Sequence, residues 1–310
     1  MLGFSKTRYA HCQGDPFGMP LYIILMLMAG ISYGLVTPLA KLGIVHDVPV
    51  AWLTLAQYPV SLIIFHFGKT MTSSKVIPRW QDHLTMIAIG ALGAGVSLTY
   101  YRSLTFLPGS IGIVLLFQFT WMLPLLSGLL HHHWPTRCQR YGIAAVLAGT
   151  FLAGGIVRGS LPLEGFALGL ASALLYALTL LLSGRINAAI SPWYRSEISL
   201  ASGLLLIAIA YQPWHNLQWA IDPSTWVWGS LMGLFSQAIP LLFTYISAPQ
   251  LPPALTGMLA SSELPVAVIL SAVWLNETVS IWRWIGVAII LAGILIGSVP
   301  LKRLKHTSPL

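Results

Sequence analysis

Few residues in this chain have the chemistry to act on a solute, and the most conspicuous is a single carboxylate. The eight acids are Asp15, Asp47, Asp82, Glu164, Glu197, Asp222, Glu263 and Glu277, and only Glu263 falls deep within an apolar run. A charge at the centre of a membrane helix costs about 2.5–3.5 kcal/mol on insertion scales, so such a group faces protein or a wet cavity. Glu263 therefore fits an ion-coupling site that takes up a proton or the ammonium group of a solute. It also fits a structural carboxyl held by Ser261, Ser262 and the backbone near Pro265. Six more polar or aromatic residues inside apolar runs are the candidates for lining a substrate cavity: Tyr33, Gln118, Trp121, Tyr176, Gln237 and Ser262. Such groups need partners or a water-filled space. Interhelical hydrogen bonds would satisfy them as well as a ligand would. Gln57, Tyr101 and Ser261 are similarly placed.

Other chemistries are excluded by spacing. His131-His132-His133 at a helix end would diverge by about 100° each, which reads as an interfacial basic cluster and not a metal site. Gly68-Lys69-Thr70 resembles the tail of a phosphate-binding loop, but the leading glycine would fall at Ile63. Cys12 and Cys138 form neither a metal nor a redox pair. No catalytic triad is evident, and no cofactor or metal is expected. Asn276-Glu277-Thr278 is a glycosylation sequon, expected to lie too close to the membrane for use.

These residues must be positioned by membrane helices. Of 310 residues, 56% are hydrophobic and only 8% are charged, against about 25% in a soluble domain. The net charge of +8 resides in short loops and tails, which fits membrane topology and not nucleic-acid binding. Ten apolar runs approach the length of about 20 residues that a span needs: 20–41, 49–67, 83–105, 109–131, 139–156, 163–185, 194–211, 225–247, 253–275 and 280–300. With the N-terminus cytoplasmic, twelve basic residues lie inside (Arg195 among them) against four outside, Lys41, Arg102, Arg158 and Arg283. That bias follows the positive-inside rule and places both termini in the cytoplasm. Residues 1–19 have no cleavage pattern and are expected to remain as a tail.

The chain also repeats. Residues 101–153 slide onto 245–297 at an offset of 144, matching Tyr101 with Tyr245, Leu107-Pro108 with Leu251-Pro252, and Gly142 with Gly286. At an offset of 143, Tyr33 meets Tyr176. Five spans per half is an odd number, so the halves must enter the membrane in opposite directions. Inverted repeats of this kind mark secondary transporters, whose site lies at the repeat interface. Small residues recur every fourth position at Gly30/Gly34, Gly229/Gly233 and Gly293/Gly297, a pattern for close helix packing. Gln237 continues the Gly229/Gly233 face and is expected to point at protein.

The stretch from Pro253 to Pro300, with Glu263 and Pro265, a second acid at Glu277, and Gly286 and Gly293 in the last run, resembles the EamA-type branch of the drug/metabolite transporter superfamily. The resemblance spans nearly the whole chain. It departs at Glu263-Leu264-Pro265, where the proline is displaced by one; at Phe119 and His133, where the first half would carry glutamates; and at Gln57, where many members carry arginine. The fold implied is all-α: ten transmembrane helices in two inverted five-helix repeats, 20–157 and 158–300, flanked by cytoplasmic tails 1–19 and 301–310. The implied cavity lies between spans 1, 3, 4, 6, 8 and 9. The implied function is movement of a small organic solute (amino acid, metabolite or drug-like compound) across a bacterial inner membrane by alternating access without ATP hydrolysis, with protons as the candidate coupling ion. The rivals are a membrane-embedded lipid-modifying enzyme, which would want catalytic polar pairs at the membrane surface, and a receptor or scaffold that transports nothing.

Overall fold

A computed structural model describes residues 18–71, 78–104, 106–107, 109–132, 134–154, 162–215, 221–274 and 280–298. In chain order its α-helices are α1 Gly18–Val45, α2 Val50–Met71, α3 Trp80–Leu104, α4 Gly109–Leu116, α5 Phe119–His131, α6 Arg137–Gly154, α7 Leu163–Ser183, α8 Pro192–Tyr211, α9 Pro223–Met232, α10 Ile239–Ser247, α11 Pro253–Ala260, α12 Glu263–Trp274 and α13 Ile281–Ser298. A π-helical turn, Gly233–Ala238, joins α9 to α10. Among the described residues there is no strand. The pairs α4–α5 and α11–α12, and the α9–α10 rod, each continue across an irregularity, so among the described residues the helices form ten rods along the apolar runs. Among the described residues six stretches are long and apolar enough to cross a bilayer: Met19–Val36, Trp80–Tyr100, Gly112–Leu130, Leu163–Ser183, Pro223–Ser247 and Pro253–Leu270. Both tails, Arg158, His133 and the 276–278 sequon fall outside the described residues.

Large apolar side chains such as Phe67, Leu129, Phe151, Leu205, Val273 and Leu295 lie on the outer surface. A soluble monomer rarely exposes so much apolar area, whereas lipid makes it favourable. Inside, α11 is buried on every side from Ala254 to Ala260, and the largest core cluster forms around it from α1, α5, α6, α7, α12 and α13. Phe117, Phe119, Leu123 and Met258, all essentially inaccessible, pack in this cluster.

Glycine sets the closest approaches. In α6 and α13, a Cβ added at Gly142 would lie 2.7 Å from the Gly293 carbonyl oxygen, and one at Gly149 would lie 2.6 Å from that of Gly286. Gly142 and Gly286 are one matched pair of the 144-residue repeat, and Gly149 and Gly293 are another. An early residue of one helix therefore meets a late residue of its counterpart, so these two equivalent helices run antiparallel. The Gly229/Gly233 face packs on Ala56 and Gln57 of α2, as its spacing suggests.

Candidate functional site

Two of the rods are broken at matching points. In a continuous α-helix each N–H bonds the carbonyl four residues back. At the α4–α5 junction the Gln118 N–H instead bonds Leu115 O and the Thr120 N–H bonds Phe117 O, while Phe117 and Met122 bond Ile113 O and Gln118 O. At the α11–α12 junction the Ser262 N–H bonds Leu259 O and the Leu264 N–H bonds Ser261 O, while Ser261 and Val266 bond Gly257 O and Ser262 O. Every one of these pairs is related by 144. The expected single runs 109–131 and 253–275 are thus each corrected to two segments with a tightened turn between.

The causes differ between the halves. In the second, Pro265 cannot donate to Ser261 O, and its ring crowds that carbonyl. In the first, the equivalent position is Trp121, and Pro124 lies too far along to act at residues 117–118. There Gln118 braces the break itself. Its Nε2 donates to Val114 O at 2.9 Å, the carbonyl its own backbone N–H has abandoned, and its Oε1 accepts from Trp121 Nε1 at 2.9 Å. The two breaks meet: Thr120 Oγ1 and Ser261 Oγ are 3.0 Å apart and wholly buried.

Around this crossing lie several of the residues singled out by type. Tyr33 and Tyr176 face each other edge to face with ring centroids 6.5 Å apart. Phe119 opens α5 and packs edge-on against Tyr176 at 4.7 Å. Its counterpart Glu263 opens α12 and lies within electrostatic range of both Tyr33 and Tyr176. One half thus presents a phenyl ring where the other presents a carboxyl. Ser262 is buried against α1, its Oγ donating to Leu27 O at 3.4 Å. This contact explains Gly30, where a Cβ would stand 2.1 Å from Ser262 Oγ.

Trp121 is partly exposed beside Gln118, and Gln237 is half-buried within the π-helical turn. Pro240 accounts for that turn, since it removes the donor that Ser236 O would take and widens the preceding helix. Neighbouring hydroxyls then occupy loosened carbonyls: Ser32 Oγ donates to Phe235 O at 2.7 Å, and Ser61 Oγ to Gly233 O at 2.9 Å. It is Ser236, not Gln237, that hydrogen-bonds Gln57. Tyr101's side chain lies outside the description.

Sequence reasoning missed Tyr58 and Tyr245, both buried and both within electrostatic range of Tyr33. Tyr245 had a signal, being the repeat partner of Tyr101. Arg195, counted among the loop cations, is instead buried within the protein. Among the described residues no His, Cys, Asp and Glu group could hold a metal ion. The arrangement offers a carboxyl and several tyrosine faces where two helices are interrupted. That set suits a small cationic or zwitterionic group, by ion pairing and by attraction to aromatic faces.

Comparison with known proteins agrees with this architecture. The sequence profile of the EamA-like transporter family matches twice, at residues 20–155 and 163–299. The threonine/homoserine exporter RhtA of Escherichia coli K12 is 26% identical over 283 residues, covering 89% of this chain and 90% of that protein. The threonine/homoserine exporter RhtA of Salmonella typhimurium SL1344 is 25% identical over 299 residues, covering 93% and 94%. A solved crystal structure 19% identical shares the fold with a TM-score of 0.75, covering 89% of this chain and 95% of the other.

Proposed function

This chain belongs to the EamA-like transporter family, and from that premise we propose that it is a secondary carrier for small zwitterionic solutes of the amino-acid class. In this reading the ten rods are ten crossings of a bacterial inner membrane, arranged as two inverted five-helix repeats with both termini cytoplasmic. The carrier works by alternating access without ATP hydrolysis. The single observation that carries the reading is the pair of matched helix breaks meeting beside Glu263, Tyr33 and Tyr176. Interrupted helices free backbone groups and side chains at mid-membrane, where a continuous helix offers none. The exporter names of the relatives support amino acids such as threonine and homoserine as the first solutes to test.

Glu263 is the coupling residue of this proposal. Its protonation alternates with solute binding, so a proton gradient drives accumulation. The test is uptake of L-threonine and L-homoserine into proteoliposomes holding the purified protein, with and without an imposed pH gradient. Glu263→Gln keeps shape and hydrogen bonding but removes the charge. The expected result is retained solute exchange with loss of gradient-driven accumulation. Unaltered accumulation by the variant would eliminate Glu263 from coupling, and no flux of any amino acid by the wild-type protein would overturn the carrier reading.

A further inference from the structure

The first turn of α8 holds a cation with no counterion among the described residues. Trp193, Tyr194 and Glu197 tie α8 to the neighbouring helices α2 and α3. Trp193 packs on Phe65 of α2 at 6.1 Å. Tyr194 Oη is 2.9 Å from His83 Nε2 of α3. Glu197 binds His66 and Lys69 of α2. Arg195 has no such partner. It is 2% exposed, its Nε and Nη1 make no hydrogen bond among the described residues, and no ion pair with a described carboxylate engages it. Its guanidinium lies over the ring of Tyr245 at 5.5 Å. An isolated buried charge is unfavourable by several kcal/mol in order of magnitude, so this arrangement calls for an anion.

Two further features supply the remaining contacts. Ser191 is the N-cap of α8 but makes no side-chain capping bond, and its buried Oγ is likewise unpartnered among the described residues. One helical turn separates Ser191 from Arg195, so the two share one face of α8, with the guanidinium itself over the ring of Tyr245. The first-turn N–H groups of Trp193 and Tyr194 have no acceptor within the helix, and the helix dipole favours negative charge there. A guanidinium fork, a hydroxyl and a helix N-terminus together match a planar oxyanion.

We propose that the start of α8 is an oxyanion site that binds the carboxylate of the transported solute, with Arg195 as its anchor and Ser191 in support. The proposal rests on the carrier reading above and deepens it. Arg195 is buried behind the ties from Glu197 to α2 and from Tyr194 to α3, so in this proposal a solute reaches it when α8 parts from both. Tyr245 then links the site to the centre of the protein. Its ring lies beneath Arg195, its hydroxyl bonds Ser199, and it sits within electrostatic range of Tyr33. A zwitterion thus meets a cation for its carboxylate at the mouth and a carboxyl for its ammonium group at the helix breaks. The burial of Arg195 inside the helix bundle favours a solute over an anionic lipid.

The test uses the full-length protein in nanodiscs, titrated with L-threonine, L-homoserine, L-threoninamide and inorganic phosphate, with thermal stabilisation as the readout. The discs are made with and without phosphatidylglycerol. The expected result is stabilisation by the two amino acids and not by the amide, independent of lipid. Arg195→Gln and Arg195→Lys should each weaken the amino-acid response by roughly 10- to 100-fold, lysine failing because a point charge does not reproduce the fork. If the glutamine variant does not fold, the lysine variant decides. An unchanged response in Arg195→Lys, an equal response to the amide, a response to phosphate alone, a response that appears only with phosphatidylglycerol, or no response to any probe would each overturn the proposal. Threonine flux by the wild-type protein, measured separately, reports whether the carrier reading itself survives.

Discussion

Gly90 on α3 gives a direct test of how tightly the helices are joined. A Cβ built there would lie 1.8 Å from the Ser199 carbonyl oxygen of α8 and 2.1 Å from Ser202 Oγ. The serine hydroxyl can rotate away, but the carbonyl belongs to the helix backbone and cannot. Carbon and carbonyl oxygen approach no closer than about 3.3 Å even in favourable contacts, so Gly90→Ala must part α3 from α8 by roughly 1.5 Å. Overpacking of this kind costs about 1–3 kcal/mol, partly offset by up to about 1 kcal/mol from alanine's better helix propensity. Gly93, one turn along the same helix, has no atom within 4 Å of an added Cβ, so Gly93→Ala should show the propensity gain alone. The expected outcome is a lower unfolding temperature for Gly90→Ala and an equal or higher one for Gly93→Ala. Tryptophan fluorescence of the protein in nanodiscs, heated in parallel with wild type, reads both. If the two variants melt together, the α3–α8 contact is not where the rigidity resides.

Three further outcomes are expected. Gln118→Ala strips the brace from Val114 O and the partner from Trp121, and should destabilise the protein by about 1 kcal/mol while raising the KM for solute; unchanged kinetics in both Gln118→Ala and Trp121→Ala would remove these residues from the cavity. Lys69→Met, Glu197→Gln and the double variant should reveal a coupling of about 0.5–1 kcal/mol in thermal unfolding at low salt, kept small by partial exposure, and additive effects would show the tie to be idle. With Cys12 and Cys138 replaced, single cysteines at Ser5, Lys75 and Lys305 should label only from the cytoplasmic side and one at His215 only from outside; external labelling at Lys75 or Lys305 would refute the orientation.

The all-helical membrane architecture was legible because lipid demands long apolar runs, six of them long enough to span among the described residues, and the repeat was legible in the matched glycines that join α6 to α13. The glycine faces could be read from spacing alone, and Gly229/Gly233 do meet Ala56 and Gln57. The breaks were half visible. Pro265 advertises the second, but Phe117-Gln118 carries no such mark, because its turn is held by an amide side chain whose reach depends on three-dimensional geometry. Pro240 hinted at a disturbance without revealing that a π-helical turn would hand the contact with Gln57 to Ser236 and not to Gln237. Arg195 was misread for a different reason. Counting loop cations assumes that a charge near a helix start is in water, and only the packing of Tyr245 across from α8 shows otherwise.

The meeting of Thr120 and Ser261 has a mechanical meaning. Ser261 Oγ donates to Gly257 O at 3.0 Å, which leaves the Thr120 hydroxyl to donate across the junction, so a single bond joins the two breaks at one point. In the alternating-access reading the broken helices would act as levers hinged at that point, with unequal arms of 8 residues in α4 and 13 in α5. At about 1.5 Å per residue the longer arm is roughly 20 Å. A tilt of about 10° at the pivot therefore sweeps its far end through roughly 3 Å, close to the width of a water molecule, while the hydroxyls at the centre scarcely move. In the carrier reading proposed above, a small change in charge or occupancy beside the pivot would thereby be converted into an opening at the membrane surface.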